Sequence, residues 1–516
     1  MTHRLTWFFA AIALATASQA PADVVHTAQG AVSGTTDHGA RAWLGLPFAA
    51  PPVGDLRWKP PAPATAWAGV RAADHFSASC EQGVNPNGFG PWTHEYVMSG
   101  PVSEDCLYLN IWAPAKPVTK RPVLVWIYGG GFNSGSGEVP IYNGAALAKK
   151  GIIVVNMNYR VGVYGFLSHP GLDAENPQGA SGNYGLMDQI AALQWVRANI
   201  AAFGGDPDNV TIAGQSAGSA SVHALIDTPL ATGLFVRAIA ESGSGMGMAF
   251  SDHATADATG VKLATAAGAT TIAQLRALTP DQLAAAAKGL GFGLSIDGAV
   301  FPDAATADHG NHSDVPVLTG LTANESSSSR ANGVQTVTPD SLRQSITRQF
   351  GVDAPAIAAL YPASDEASAG LAKEAVARDR GLATMYLWAA NRKSHAPVYA
   401  YLWTHIEPGP DAATYKAFHS SELPYVFGTL DTSDRPFTAA DRKLSETAQT
   451  YWLNFIRHGN PDGVGLVHWP ALKLSDRQIL NIGDDVHAQS VLEPAKLNAF
   501  VHYVQDGGRL GLFSAD

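Results

Sequence analysis

Three largely apolar runs constrain the fold of this chain more than any other feature of its sequence. They occupy residues 123–128, 152–157 and 210–213. Runs that are apolar on both faces are typical of strands that helices cover on each side, as in a mostly parallel sheet. Apolar residues recur at helical spacing in 185–203, between the second and third runs. The order strand, helix, strand therefore predicts βαβ units in an α/β fold, with a central mostly parallel sheet flanked by helices.

The rest of the chain extends this pattern. Residues 23–115 are rich in proline and glycine and predict short N-terminal strands and turns, including small antiparallel ones. Helices laid over the sheet are predicted at about 255–289 and 339–390. Further apolar strands are predicted at 238–241, 315–320, 398–403 and 479–482. Because no repeat of 20–50 residues and no low-complexity linker occurs, we predict one large domain, residues 23–516, with helical insertions.

Composition excludes several classes of protein. Of 516 residues, 46% are apolar and 15% charged, so the chain can bury a large core and is not disordered. The net charge of −11 argues against a nucleic-acid partner, because binding to phosphates depends on Lys and Arg. Two cysteines exclude a disulfide-dense scaffold and a four-cysteine metal site but allow one disulfide.

The N-terminus has the pattern of a targeting segment. Arg4 precedes an apolar stretch at 5–17, and Ala20-Pro21-Ala22 fits a small-residue cleavage site. Such a stretch is too short to cross the roughly 30 Å of hydrocarbon in a bilayer. We predict that residues 1–22 are a secretory signal peptide, cleaved after Ala20 or Ala22, and that the mature protein is secreted or periplasmic. An uncleaved anchor or a buried helix is the alternative, and no later segment has the length of a membrane span.

A candidate nucleophile lies in the sequence Gly214-Gln215-Ser216-Ala217-Gly218, between a predicted strand at 209–213 and a predicted helix at 217–226. This pattern is typical of a sharp strand-to-helix turn that pushes a serine hydroxyl out of the sheet. Glycines are needed on both sides because neighbouring backbone crowds the turn. The helix N-terminus also favours a developing negative charge. The alternative is a structural turn without chemistry.

A second glycine-rich segment, Gly129-Gly130-Gly131, ends the strand predicted at 123–128. Glycines there allow a ligand to approach the backbone and turn N–H groups inward. The N–H groups of Gly130 and Gly131, with that of Ala217, would form an oxyanion hole. A flexible turn would explain the glycines equally well.

Longer motifs cover nearly the whole chain after residue 22. They are LPF at 46–48, PPVG at 51–54, RW at 57–58, EDCLYLN at 104–110, WIYGGGF at 126–132, NYRVG at 158–162, GNYGLMDQ at 182–189, FGGDP at 203–207 and ESGS at 241–244. In this order they resemble the type-B carboxylesterase/cholinesterase family of α/β-hydrolases. The resemblance implies an α/β-hydrolase fold and a serine-dependent carboxylic-ester hydrolase that works through an acyl-enzyme and needs no cofactor.

The resemblance also assigns partners to Ser216. A serine nucleophile needs a general base within hydrogen-bond reach and a carboxylate that orients the base. His419 matches the family's histidine loop, and Glu325 matches the family's acid, in the chain order serine, acid, histidine. The family usually has glycine directly after the acid, whereas this chain has Ser326. Glu422 and Asp297 are competing acids; Glu422 is expected to cap or brace the histidine loop and Asp297 to form a turn.

Other residues receive roles from the same resemblance. Cys80 and Cys106 match the family's first disulfide loop, and an oxidising compartment favours the bridge independently. Trp92 and Tyr96 lie inside this loop, which in relatives walls the entrance to the active-site gorge, so either is a candidate substrate contact. Simple packing is the alternative for both. Ser242 resembles a position that braces the triad, against an ordinary serine at a strand end.

Two other functions remain open at this stage. Some members of the family are inactive and work in adhesion, although these typically lose a triad residue. A metal-dependent hydrolase is the other alternative, because Asp308, His309, His312 and Asp314 lie close together. Their spacing matches no strong zinc motif, so no metal is predicted. The predicted partner is a small-molecule ester, by default a short- to medium-chain aliphatic or aryl ester, and no required protein partner is evident.

Overall fold

The computed structural model describes residues 24–243, 250–304, 312–333 and 335–511. The predicted signal peptide lies outside these residues. Among them, no helix is both long and apolar enough to cross a bilayer.

A large mixed sheet is the centre of the described structure. Eleven of the described strands form it, in the order β18-β17-β16-β15-β12-β11-β9-β10-β8-β4-β3. The strands are β1 Val24–His26, β2 Ala31–Ser33, β3 Thr35–Asp37, β4 Ala40–Pro47, β5 Val70–Ala72, β6 Ser79–Cys80, β7 Val102–Ser103, β8 Tyr108–Ala113, β9 Arg121–Ile127, β10 Ile153–Met157, β11 Gly205–Gln215, β12 Arg237–Glu241, β13 Ser251–Asp252, β14 Ser295–Ile296, β15 Val317–Thr322, β16 Val398–Trp403, β17 Gln478–Ile482 and β18 His487–Ser490.

The middle of the sheet is parallel and its two edges are antiparallel. Strands β10, β9, β11, β12, β15, β16 and β17 pair in parallel, each with the next in that order. The N-terminal strands β3, β4 and β8 and the C-terminal strand β18 join antiparallel. The predicted mostly parallel sheet is therefore confirmed. Since parallel strands end at one edge, the loops after β9, β11 and β15 emerge on the same side, as ligand sites in open α/β sheets require.

Helices cover the sheet. They are α1 Ala145–Lys149, α2 Gly162–Phe166, α3 Pro170–Asp173, α4 Tyr184–Asn199, α5 Ala217–Asp227, α6 His253–Ala266, α7 Ile272–Arg276, α8 Pro280–Ala287, α9 Pro339–Phe350, α10 Ala354–Ala359, α11 Glu366–Asn391, α12 Ala412–Tyr415, α13 Leu423–Phe427, α14 Ala439–His458 and α15 Pro494–Gln505.

The apolar runs form the predicted strands, most of them with bounds that differ by one or two residues. The run at 210–213 is the end of a longer strand, Gly205–Gln215, whose register shifts between Gly205 and Val210. The strand predicted at 315–320 instead spans Val317–Thr322, because Pro316 precedes it and lacks an N–H for the ladder. The strand therefore ends two residues nearer to Glu325 in the sequence than predicted.

The helices predicted over the sheet pack in two different ways. Helices α9, α11 and α15 bury apolar side chains against β15–β17, through residues such as Leu342, Ala369 and Phe500. The Ala-rich region at 255–289 does not lie over the sheet as predicted. Its buried residues, including Leu263 and Leu283, form a separate cluster with Trp58 and with residues of α2, α3 and α4. That correction has a simple cause: periodicity shows that a helix buries one face but not what covers it.

Candidate active site

Ser216 lies at a strained turn between β11 and α5. Its backbone has φ 58° and ψ −123°, a conformation that non-glycine residues rarely adopt and that concentrates at functional sites. The Ser216 N–H donates to the carbonyl of Glu241 at 2.9 Å, which fixes the turn against β12. A Cβ on Gly214 would lie 2.5 Å from the backbone of Gly218, and one on Gly218 would lie 2.0 Å from the carbonyl oxygen of Ile127. Both glycines are therefore required by close backbone packing, as the motif predicts.

The glycine segment after β9 forms a tight turn beside Ser216. Gly130 and Gly131 have φ of 111° and 62°, and the Gly130 carbonyl accepts hydrogen bonds from the N–H groups of Asn133 and Ser134. Within the described residues, neither Gly130 nor Gly131 donates its own N–H. Ala217 is the first residue of α5, so its N–H has no acceptor inside the helix. These three donors are available for an anion.

His419 and Glu325 meet through a hydrogen bond between Nδ1 and Oε2. The second carboxylate oxygen, Oε1, accepts the N–H of Thr322 at 2.7 Å. Main-chain pairing holds the two loops together, because the Asn324 N–H donates to the Ala417 carbonyl at 3.0 Å. Both side chains are buried.

Ser326 does not disturb the position of the acid. Glu325 begins a 3₁₀ helix, Glu325–Asn332, and Ser326 is not among the residues with positive φ. A right-handed helical conformation is open to serine as well as to glycine. The departure from the family's usual glycine is therefore accommodated by this local structure.

One cavity brings most of the predicted site residues together. Its volume is about 340 Å³, and Ser216, His419, Gly130 and Gly131 line it. Trp92 and Tyr96 also line it, in a mainly apolar wall that further includes Phe89, Val97, Met98, Val139 and Tyr142.

The disulfide loop forms one wall of this cavity. Cys80 and Cys106 are bonded, with 4.9 Å between their Cα atoms. The indole Nε1–H of Trp92 donates to the carbonyl of His419 at 3.1 Å. The hydroxyl of Tyr96 donates to Oε2 of Glu407 at 2.8 Å, and burial raises the pKa of Tyr96 well above its usual value. Both aromatic residues thus have fixed structural contacts as well as a face on the cavity.

Gln215 was not identified as a site residue from the sequence. Its side-chain Nε2 lies 3.0 Å from Nε2 of His419, and the residue is buried and lines the cavity. The only signal in the sequence was its place directly before the serine in the turn.

A buried acidic cluster lies beside Glu325 and consists of Glu241 and Glu422, with the hydroxyl of Ser242 next to them. Burial raises the pKa of Glu241 to about 8, although its Oε1 accepts the indole N–H of Trp452 at 2.6 Å. Burial, with the nearby charges of Glu241 and Glu325, also raises the pKa of Glu422 well above its usual value, while the Ser242 hydroxyl opposes this rise. Glu422 therefore packs behind the histidine loop and makes no side-chain cap on α13.

The remaining candidates lie elsewhere. Asp297 uses Oδ1 to accept the N–H groups of Ala299, Val300 and Phe301, so it closes a turn as predicted. Asp308 and His309 lie outside the described residues. Asp314 accepts hydrogen bonds from Ser394 and Ala396.

Two other clusters place possible metal ligands together among the described residues. They are Asp173 with His253 and Asp257, and Asp353 with His502 and Asp506. Neither lines the cavity that contains Ser216.

Known proteins resemble this chain over nearly its whole length. Residues 21–500 match the carboxylesterase family. The chain is 38% identical to fumonisin B1 esterase of Sphingopyxis macrogoltabida, covering 93% of this chain and 91% of the relative. It is 36% identical to para-nitrobenzyl esterase of Bacillus subtilis (strain 168), covering 92% and 97%. A solved thermophilic para-nitrobenzyl esterase aligns with a TM-score of 0.78 at 33% identity, over 92% of this chain and 99% of that one. The chain therefore belongs to the type-B carboxylesterase family and is a carboxylic-ester hydrolase with the α/β-hydrolase fold.

Proposed function

We propose that the chain hydrolyses esters through an acyl-enzyme on Ser216, with His419 as general base and Glu325 as the acid that orients it. The oxyanion hole consists of the N–H groups of Gly130, Gly131 and Ala217. The observation that carries the proposal is the cavity shared by Ser216, His419 and the two glycines, with Glu325 bonded to the far side of the imidazole.

Each step then follows from this arrangement. His419 Nε2 removes the proton of the Ser216 hydroxyl as its oxygen attacks the ester carbonyl, and the three N–H groups stabilise the negative charge on the carbonyl oxygen. The C–O bond to the alcohol breaks as His419 returns the proton to the leaving oxygen. Water, deprotonated by His419, then attacks the acyl carbon. The bond from that carbon to the Ser216 oxygen breaks as His419 returns the proton to this oxygen, and the acid is released. Glu325 keeps Nδ1 protonated throughout, so that Nε2 remains the base.

We infer that the substrate is a small, largely apolar ester with a short- to medium-chain acyl group or an aryl group. The size of the cavity and its aromatic and aliphatic wall support this choice. Relatives are named for esters as different as fumonisin B1 and para-nitrobenzyl esters. A panel of esters that varies acyl and alcohol size separately, read as kcat/KM, defines the preference; a uniform response across the panel would contradict it.

We also propose that Ser242 braces the triad, through its hydroxyl beside Glu422.

We further propose that residues 1–22 direct export and are removed. The bond between Cys80 and Cys106 is consistent with an oxidising compartment. N-terminal sequencing of protein recovered from the exported fraction should begin at Pro21 or Asp23. Recovery of the chain only inside the cell, with Met1 intact, would contradict export.

Pre-steady-state kinetics tests the catalytic proposal. With a p-nitrophenyl ester, the wild type should release one equivalent of p-nitrophenol per active site where deacylation is slower than acylation, followed by steady turnover. Ser216→Ala should abolish both phases. Full activity in that variant would remove Ser216 from the mechanism. A folded wild-type protein that a fluorophosphonate does not label would instead favour a non-catalytic binding role.

A further inference from the structure

Gln215 touches the atom of His419 on which the proposed chemistry depends. Its amide Nε2 lies 3.0 Å from Nε2 of the imidazole and 3.4 Å from Nδ1. Since Nδ1 already pairs with the carboxylate of Glu325, Nδ1 carries the proton and Nε2 is the acceptor. The Gln215 amide therefore donates to the lone pair that must accept the proton of Ser216, and this hydrogen bond breaks before that transfer.

The position of this amide is fixed by its surroundings. Gln215 is 2% exposed and is the last residue of β11. A Cβ on Gly129 would lie 2.6 Å from the carbonyl oxygen of Gln215 and 3.1 Å from its side-chain Oε1. The backbone of Gln215 therefore requires glycine at position 129, and the side chain lies between the glycine turn and the imidazole.

A donor at Nε2 has a defined electrostatic consequence. A hydrogen bond to the neutral form of a base stabilises that form over the protonated one. The amide is uncharged, so it gives the imidazolium no ion-pair partner, unlike a carboxylate of the same shape. Gln215 therefore favours the neutral imidazole that the first proton transfer needs.

We propose that Gln215 is a positioning residue that holds the His419 imidazole at the mouth of the turn through the hydrogen bond to Nε2, and that its loss changes the pH dependence of the reaction. This inference rests on the proposed function of His419 as the general base. It adds to that function a residue that governs the pH range in which the enzyme works.

Other titratable groups lie near His419. Glu325 pairs with it from the 3₁₀ helix, and Glu241 on β12 and Glu422 beside α13 lie in the buried cluster behind Glu325. Tyr96 of the disulfide loop and Tyr142 face the same cavity. A substitution at position 215 keeps all of these residues, and the control variant at a second position tests whether a change in the pH profile comes from Gln215.

The test compares three variants by the pH dependence of kcat/KM with a neutral p-nitrophenyl ester. Gln215→Met keeps the shape but removes the donor, and it should raise the apparent pKa of the acidic limb. Gln215→Glu adds a negative charge within contact distance of the imidazole, and it should raise that pKa further, by about 1 unit or more. Gln82→Met is the matched control, because Gln82 lines the same cavity but bonds to Gly135 and Cys80.

The apparent pKa of the acidic limb of kcat/KM should rise from wild type to Gln215→Met and again to Gln215→Glu. Gln82→Met should have the same apparent pKa as the wild type. A value for Gln215→Met at or below that of the wild type would overturn the inference, as would equal shifts in Gln82→Met. Circular dichroism and fluorophosphonate titration establish that each variant is folded, and if Gln215→Glu does not fold, Gln215→Met decides alone. A wild type that is not labelled at Ser216 would overturn the proposed function as well, which separates the two failures.

Discussion

At the scale of single residues, three buried acids have different roles because they contact different groups. Glu325 bonds to the imidazole, Asp297 closes a turn with three backbone N–H groups, and Glu422 packs in the acidic cluster behind the histidine loop. All three are carboxylates on short connections, so residue type alone does not distinguish them. Their roles follow from the contacts that each makes in the folded chain.

The first prediction separates two of these acids. Glu325→Gln should lower kcat by about 10³- to 10⁴-fold with a small effect on KM, because an amide no longer holds the imidazole in the tautomer that leaves Nε2 basic. Asp297→Asn keeps an acceptor for the turn and should retain the wild-type kcat. Steady-state kinetics on both variants makes the comparison; a large loss of kcat in Asp297→Asn with none in Glu325→Gln would reverse the assignment.

The buried acidic cluster makes stability depend on pH. Burial raises the pKa of Glu241 to about 8 and also raises that of Glu422, whereas a glutamate in the unfolded chain titrates near pH ~4.3. Between these values the folded protein holds protons that the unfolded chain has lost. The free energy of unfolding therefore falls as pH rises from about 5 to about 8.

Glu422→Gln should weaken this dependence, because glutamine imitates the protonated acid at every pH. Relative to the wild type, the variant should gain stability as pH rises from 5 to 8, by up to about 1.4 kcal/mol per pH unit. Urea unfolding at several pH values and constant ionic strength measures the difference. A difference in unfolding free energy that stays constant with pH would contradict the prediction.

At the scale of structural elements, the turn between β11 and α5 joins stability to catalysis. The same glycines that let α5 approach β9 also set the backbone angle that exposes the Ser216 hydroxyl. The disulfide loop adds a second such link, because Trp92 within it bonds to the carbonyl of His419. Both connections hold reacting groups on rigid elements rather than on free loops.

Substitution of these glycines should be costly. Gly218→Ala would place a Cβ 2.0 Å from the carbonyl oxygen of Ile127, so β9 or α5 must move. We expect a loss of more than about 2 kcal/mol in unfolding free energy and a large fall in kcat. Gly370→Ala is the matched control: it lies inside α11 with no atom within 4 Å of the new Cβ, and it should stabilise the protein by about 0.5–1 kcal/mol. Equal effects at the two positions would contradict this account.

The elements that the sequence predicts well are those whose own composition defines them. The apolar runs at 123–128 and 152–157 form strands because no other element buries both faces of so short a segment. The prediction that the Ala-rich helices at 255–289 lie over the sheet was wrong, because the sequence pattern shows that a helix has a buried face but not which element packs against it. Gln215 was missed for a related reason: the direction of its side chain is set by the turn and by Gly129, which only the folded structure brings beside it.

At the scale of the whole molecule, the two largest groups of buried residues lie on opposite faces of one sheet. Along β16, Tyr401 and Trp403 belong to the larger group, whereas Ala400 and Leu402 belong to the group that includes α9, α11 and α15. Neither side can unfold without exposing the other face of the same strands. This supports the prediction that residues 23–516 form a single domain.

Calorimetry tests that prediction. The mature chain should unfold in one cooperative transition, with the calorimetric enthalpy equal to the van't Hoff enthalpy where unfolding is reversible. Two resolved transitions, or a protease-resistant fragment that ends near the boundary between the two groups of buried residues, would indicate separate domains.

The central claim is that one serine carries the acyl group. Mass spectrometry of the protein quenched during turnover of a slowly deacylating p-nitrophenyl ester tests it most directly. We predict a single covalent adduct with the mass of the acyl group, mapped to the peptide containing Ser216 and absent from Ser216→Ala. An adduct on another residue, or rapid turnover by Ser216→Ala with no adduct, would contradict the account.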